Sequence, residues 1–158
     1  MQVDAQHDVA NPGLIRPPFV YLFAMLVGLG LDRIWPLPFP AASLAKFLGP
    51  VVVLAALALF ALAKREFDAA GTSVRGNRPA TAIVRSGPFR FTRNPIYVAF
   101  SLVQLGIALW ASSLWVLAML LPAIALIQLV VIAREERFLE EKFGSEYASY
   151  KAAVRRWL

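Results

Sequence analysis

A chain of 158 residues with no cysteine and a single histidine is closed to several classes of chemistry. There can be no disulfide, thiolate metal site or cysteine nucleophile, and His7 alone in a polar N-terminal stretch cannot build a histidine metal site or a Ser-His-Asp triad. With 59% apolar residues and a mean hydropathy of +0.61, the net charge of +6 falls on residues flanking apolar spans, which is membrane topology rather than nucleic-acid binding.

The expected fold is all-α: one domain, 1–158, an integral membrane bundle of four transmembrane helices followed by a C-terminal cytoplasmic interfacial helix. The N-terminal stretch MQVDAQHDVANPG is acidic and polar without a basic lead-in, so it does not read as a signal peptide. The first span is expected over Pro17–Trp35, opened by Pro17-Pro18 and closed by Asp32-Arg33 and a proline-rich stretch. The second covers Leu44–Ala63, with Pro50 as a kink, so that 17–63 holds the two N-terminal spans. The third runs over Pro95–Ala111 and the fourth over Leu114–Ala133; Ser112-Ser113 folds 95–133 into a tight hairpin. Gln104 and Gln128 are placed to hydrogen-bond across that hairpin.

Basic residues cluster on two segments. Lys64, Arg65, Arg75, Arg78, Arg85, Arg90 and Arg93 separate spans two and three, and Arg134, Arg137, Lys142, Lys151, Arg155 and Arg156 follow span four. The positive-inside bias makes both segments and both termini cytoplasmic. The stretch Arg134–Trp157, with aromatic residues among mixed charges, reads as a helix bent near Gly144 and lying on the membrane surface.

Chemistry concentrates where spans three and four meet the cytoplasm. At Arg93-Asn94-Pro95, Pro95 suits a first helical turn and Asn94 an N-cap. That describes first a capped membrane helix with an interfacial arginine; the alternative is a positive helix end and free amides facing a bound anion. Gly87-Pro88-Phe89 is a turn aimed back at the membrane. Glu135-Glu136 follow span four at once, and so close to hydrocarbon they need water, a ligand, or a cation such as Arg90 or Arg93.

Four pieces in order resemble the isoprenylcysteine carboxyl methyltransferase family, with the phospholipid methyltransferases related to it. They are Gly87-Pro88-Phe89, Arg93-Asn94-Pro95-Ile96-Tyr97, Glu135-Glu136-Arg137-Phe138-Leu139, and Phe143-Gly144-Ser145-Glu146-Tyr147-Ala148-Ser149-Tyr150, within a motif region 81–157. The resemblance implies S-adenosylmethionine as cofactor and a lipid or lipid-like methyl acceptor reached from the bilayer. It places cofactor contacts on Thr81, Ala82, Ile83, Val84, Phe89, Asn94, Pro95, Ile96, Tyr97 and Glu135, and puts Arg93 beside the reacting centre as the catalytic residue. No metal and no nucleic acid is implied. Asn94 stands where the family usually has histidine, Phe89 where tyrosine is common, and Val131 where the eukaryotic prenylcysteine enzymes hold substrate with an arginine. Three functions are therefore in view: carboxylate O-methylation of the isoprenylcysteine type, phospholipid amine N-methylation, and a non-catalytic binding or assembly protein on the same scaffold. A transporter is a weaker fit, since the sequence shows no internal repeat.

Overall fold

The computed structural model describes residues 15–71 and 81–158; His7, the N-terminal stretch, Arg75 and Arg78 lie outside them. Among the described residues the protein is all-helical, without a strand, and carries one isolated parallel bridge between Thr92 and Arg155. The elements are α1 (Pro17–Ile34), α2 (Ala42–Ala69), a 3-10 turn (Gly87–Arg90), α3 (Pro95–Ala111), α4 (Leu114–Leu126), a π turn (Ile127–Ile132), α5 (Ala133–Phe143) and α6 (Ser145–Ala153). Three helical stretches are long and apolar enough to cross a bilayer: α1, α2 and the unbroken run Leu114–Phe143. The apolar α3 has 17 residues, roughly 25 Å of helix against about 30 Å of hydrocarbon.

The boundaries have local causes. α1 begins at a Pro-Pro pair whose missing amides need no helical partner. α2 passes through Pro50 and continues beyond the expected end at Ala63 to Ala69, where the Lys64–Asp68 pair at 2.5 Å spans one turn. Ser112, at φ +52, reverses the chain, and the Ser113 hydroxyl caps α4 by accepting from the Val116 amide at 3.3 Å. No glycine or proline falls between Pro122 and Gly144, so the helix does not stop at the expected Ala133. Instead α5 prolongs it, and the break comes at Gly144 with φ +52.

α2 packs along α3, α1 along α4, and α3 joins α4 through the tight turn. Small residues make these approaches close. A Cβ on Gly49 would lie 2.5 Å from the Trp110 amide nitrogen, and one on Gly28 would lie 2.6 Å from the Val116 Cα. The buried set on these helices is rich in alanine, including Ala56, Ala63, Ala99 and Ala108, while Phe23, Phe47 and Leu54 point outward. Such an inside-out distribution suits hydrocarbon rather than water.

Gln104 and Gln128 do not pair with each other. Gln104 donates to the Val116 carbonyl at 3.1 Å, and Gln128 accepts from the Trp157 indole at 2.9 Å. Gln104 reaches the first turn of α4 instead, and the C-terminal tail takes Gln128.

Candidate functional site

The segment leading to α3 is built from a turn that only glycine fits. Gly87 has φ +55, and a Cβ there would lie 2.8 Å from the Glu66 side chain. Glu66, on the last turns of α2, accepts a hydrogen bond from the Ser86 hydroxyl. α2 thereby fixes the turn at its start. The Phe89 ring is buried edge-on against Phe67, with centroids 5.0 Å apart, in a cluster with Ala63, Val84 and Ile96. Its carbonyl accepts from the Tyr150 hydroxyl at 2.8 Å. Phe91, two residues on, is exposed.

The amide at Arg93 is not free to meet an anion. It donates to the Arg155 carbonyl at 2.9 Å. The Asn94 side chain occupies the cap position but makes no capping bond; its Nδ2 donates to the Arg156 carbonyl at 2.9 Å, which also accepts from the Thr92 hydroxyl. The C-terminal tail after α6 thus lies across the start of α3, and Trp157 reaches the apolar cluster of Tyr21, Ile127, Val131 and Ile132. Tyr97 packs against the same cluster.

The adjacent carboxylates Glu135 and Glu136 have separate partners. Glu136, buried, accepts two bonds from Arg156, Nη2 at 2.7 Å and Nε at 3.0 Å, and stands 3.3 Å from Arg93 Nη1. This bidentate bond raises the pKa of Arg156 above its ordinary value. Arg90 is not a partner of the pair: its side chain faces outward. Glu135, half-buried, accepts from the Tyr97 hydroxyl at 2.8 Å. Behind Tyr97, the Ser101 hydroxyl donates to the Tyr97 carbonyl at 2.9 Å and bonds Tyr21 at 2.9 Å, so α1, α3 and α5 are tied around one point.

Arg93 has unfilled capacity. Its side chain is 8% exposed, yet neither Nε nor Nη1 has a hydrogen-bond partner among the described residues. It lies against Tyr147, whose hydroxyl burial pushes up to about 12, as it does that of Tyr150. Both tyrosines are therefore neutral donors at physiological pH.

The structure brings Arg93, Asn94, Tyr97 and Glu135 together with Glu136, Arg156 and Trp157. Pro95 is buried and Ile96 half-buried at the first turn of α3. Val84 is part of the Phe89 cluster, Ala82 and Ile83 are half-buried before it, and the Thr81 hydroxyl donates to the Gly71 carbonyl at 3.3 Å. Val131 is buried in the Trp157 cluster. The sequence reading did not assign Glu66, Arg156 or Trp157 to the site. Glu66 sits in an ordinary charged helix end, and only Arg156, as the cation left for a buried Glu136, carried a readable signal. Among the described residues no group of three or more histidines or carboxylates is placed to hold a metal.

A family model described as phospholipid methyltransferase matches residues 42–146. The chain is 41% identical over 63 residues to an uncharacterized protein of Haemophilus influenzae, covering 40% of this chain and all of that relative. It is 41% identical over 73 residues to the cobalt-zinc-cadmium resistance protein CzcN of Cupriavidus metallidurans, covering 46% of this chain but 33% of that protein. No solved structure matches.

Proposed function

The chain belongs to the phospholipid methyltransferase family, and we propose that it transfers a methyl group from S-adenosylmethionine to a lipid-like acceptor at the cytoplasmic face of the membrane. In this reading α3 is a fourth crossing, and both basic segments lie on the cytoplasmic side. The observation that carries the proposal is the pairing of a buried arginine with open donors, Arg93, and a half-buried carboxylate with one protein donor, Glu135.

The residues fit the charges of acceptor and cofactor. Arg93 Nε would hold an anionic oxygen of the acceptor beside the reacting centre, and the open lone pairs of Glu135 would take the cofactor's ammonium or ribose hydroxyls. S-adenosylmethionine supplies an already activated methyl carbon on a sulfonium. What remains for the protein is alignment and exclusion of water. Tyr97 orients the Glu135 carboxylate, and Glu136 with Arg156 holds Arg93 in place. The tail bearing Trp157 covers the apolar side. A carboxylate acceptor needs no base. An amine acceptor must lose a proton, and Glu135 is the group positioned to accept it. The family match favours the amine, which makes phospholipid N-methylation the reading to test beside carboxylate O-methylation.

Calorimetric titration of S-adenosylmethionine into the detergent-purified protein, with Glu135→Ala and Arg93→Ala in parallel, tests this. Glu135→Ala should weaken binding in a folded bundle, and Arg93→Ala should lower turnover more than affinity. Turnover is read as labelled methyl transfer to phosphatidylethanolamine or to a prenylcysteine. Unchanged affinity in Glu135→Ala would remove that residue from the site, and absence of binding to the parent in bilayer nanodiscs would overturn the cofactor assignment.

A further inference from the structure

The fourth helix is α-helical from Leu114 to Leu126 and again from Ala133 to Phe143, with a π turn at Ile127–Ile132 between. Its buried residues are Val116, Ala123, Ile127, Val131, Ile132 and Glu136, and Ile127 and Ile132 are both wholly buried. Residues five apart in an α-helix stand about 140° apart around its axis and do not share a face. The buried face therefore advances by one residue inside the π turn. In an unbroken α-helix the nine residues from Ile127 to Glu136 would turn it by about 900°, leaving Glu136 on the far side, away from Arg93. The wider turn takes up one surplus residue, roughly 100° of rotation. That brings Glu136 to within about 80° of Ile127, and Glu135 to within about 20°.

We infer that the π turn is a phase-setting element: one surplus residue in the fourth helix rotates the Glu135-Glu136 pair into the bundle, Glu136 to Arg93 and Arg156, and Glu135 to Tyr97. The turn is held from inside by Ile127, Val131 and Ile132, and at its second residue by the Gln128–Trp157 bond. Leu129 points outward, 72% exposed, and takes no part in the network. Its functional consequence rests on the proposed cofactor site, but its geometry does not.

Removing one residue from a membrane helix ordinarily rotates everything beyond it by about 100°. Here removal of Leu129 should let the segment become regular α-helix while both buried faces keep their places. Insertion of one alanine after Leu129 should instead turn the acid pair away. Because the chain has no cysteine, Glu136→Cys with Arg156→Cys gives a clean pair for a short bis-maleimide, applied in membranes to the parent length, the Leu129 deletion and the insertion. The deletion should cross-link within twofold of the parent length, and the insertion at least tenfold less. Loss of cross-linking in the deletion, or parental cross-linking in the insertion, overturns the inference. Deletion of Val130 is the second form of the same test; misfolding of both deletions also overturns it, since a phase-preserving deletion leaves each buried face intact. S-adenosylmethionine binding is measured on the same three lengths with Glu136 and Arg156 restored. If even the parent length does not bind while the cross-linking pattern holds, the cofactor assignment fails and the phase-setting role stands.

Discussion

Glu136→Gln probes the central charge of the site. Glu136 and Arg93 have side chains 8% exposed, while the Arg156 side chain is 36% exposed. Glutamine keeps the shape and one acceptor oxygen but removes the charge that faces two guanidinium groups. Breaking a buried pair by removing one partner costs roughly 3–5 kcal/mol, chiefly because the other charge is left buried. Arg156 can turn into water, which recovers part of the loss; Arg93 cannot. The expected destabilisation is therefore about 2–4 kcal/mol. Arg156→Gln leaves Glu136 beside Arg93 and should cost about 1 kcal/mol. Equilibrium unfolding in mixed detergent micelles, followed by tryptophan fluorescence, measures both. A change under about 0.5 kcal/mol for Glu136→Gln, or equal effects of the two variants, would refute the asymmetry on which this rests.

Other sites give sharper, smaller tests. Gly49→Ala puts a methyl group against the Trp110 backbone, where helix α3 must retreat; a loss of about 1–3 kcal/mol is expected by the same unfolding measurement. Tyr97→Phe removes the hydroxyl that orients Glu135, and calorimetry should show S-adenosylmethionine affinity reduced by about tenfold, or 1.4 kcal/mol. Tyr147 and Tyr150 titrate near 12 in the folded protein, whereas an unfolded tyrosine titrates near 10. The stability that their burial carries is whole below about pH 10 and is lost as pH rises from there through about 12. Tyr147→Phe, with no proton to lose, should blunt that alkaline loss; a pH profile identical to the parent's would remove Tyr147 from it.

Much of the architecture was legible because hydrocarbon imposes simple demands on sequence. Long apolar runs bounded by proline and charge had to be helices, since a bilayer leaves backbone groups no other partner. The start of α3 at Pro95 and the turn at Ser112-Ser113 are written in residue types with few alternatives. The order of the motif pieces, with a hairpin between, pointed to residues brought together from both ends of it, and the start of α3 does meet α5 through Arg93–Glu136 and Tyr97–Glu135. The assignment of partners was another matter. Asn94 is a good cap by residue type, yet its side chain serves the Arg156 carbonyl because the tail arrives from more than sixty residues away. Glu135 and Glu136 are chemically identical neighbours, and periodicity extrapolated along a straight helix would send Glu136 outward. Local sequence fixes how a helix begins, how it ends and how greasy it is; the π turn and the docked tail, which depend on what packs around them, decide which carboxylate holds the arginines and which meets Tyr97.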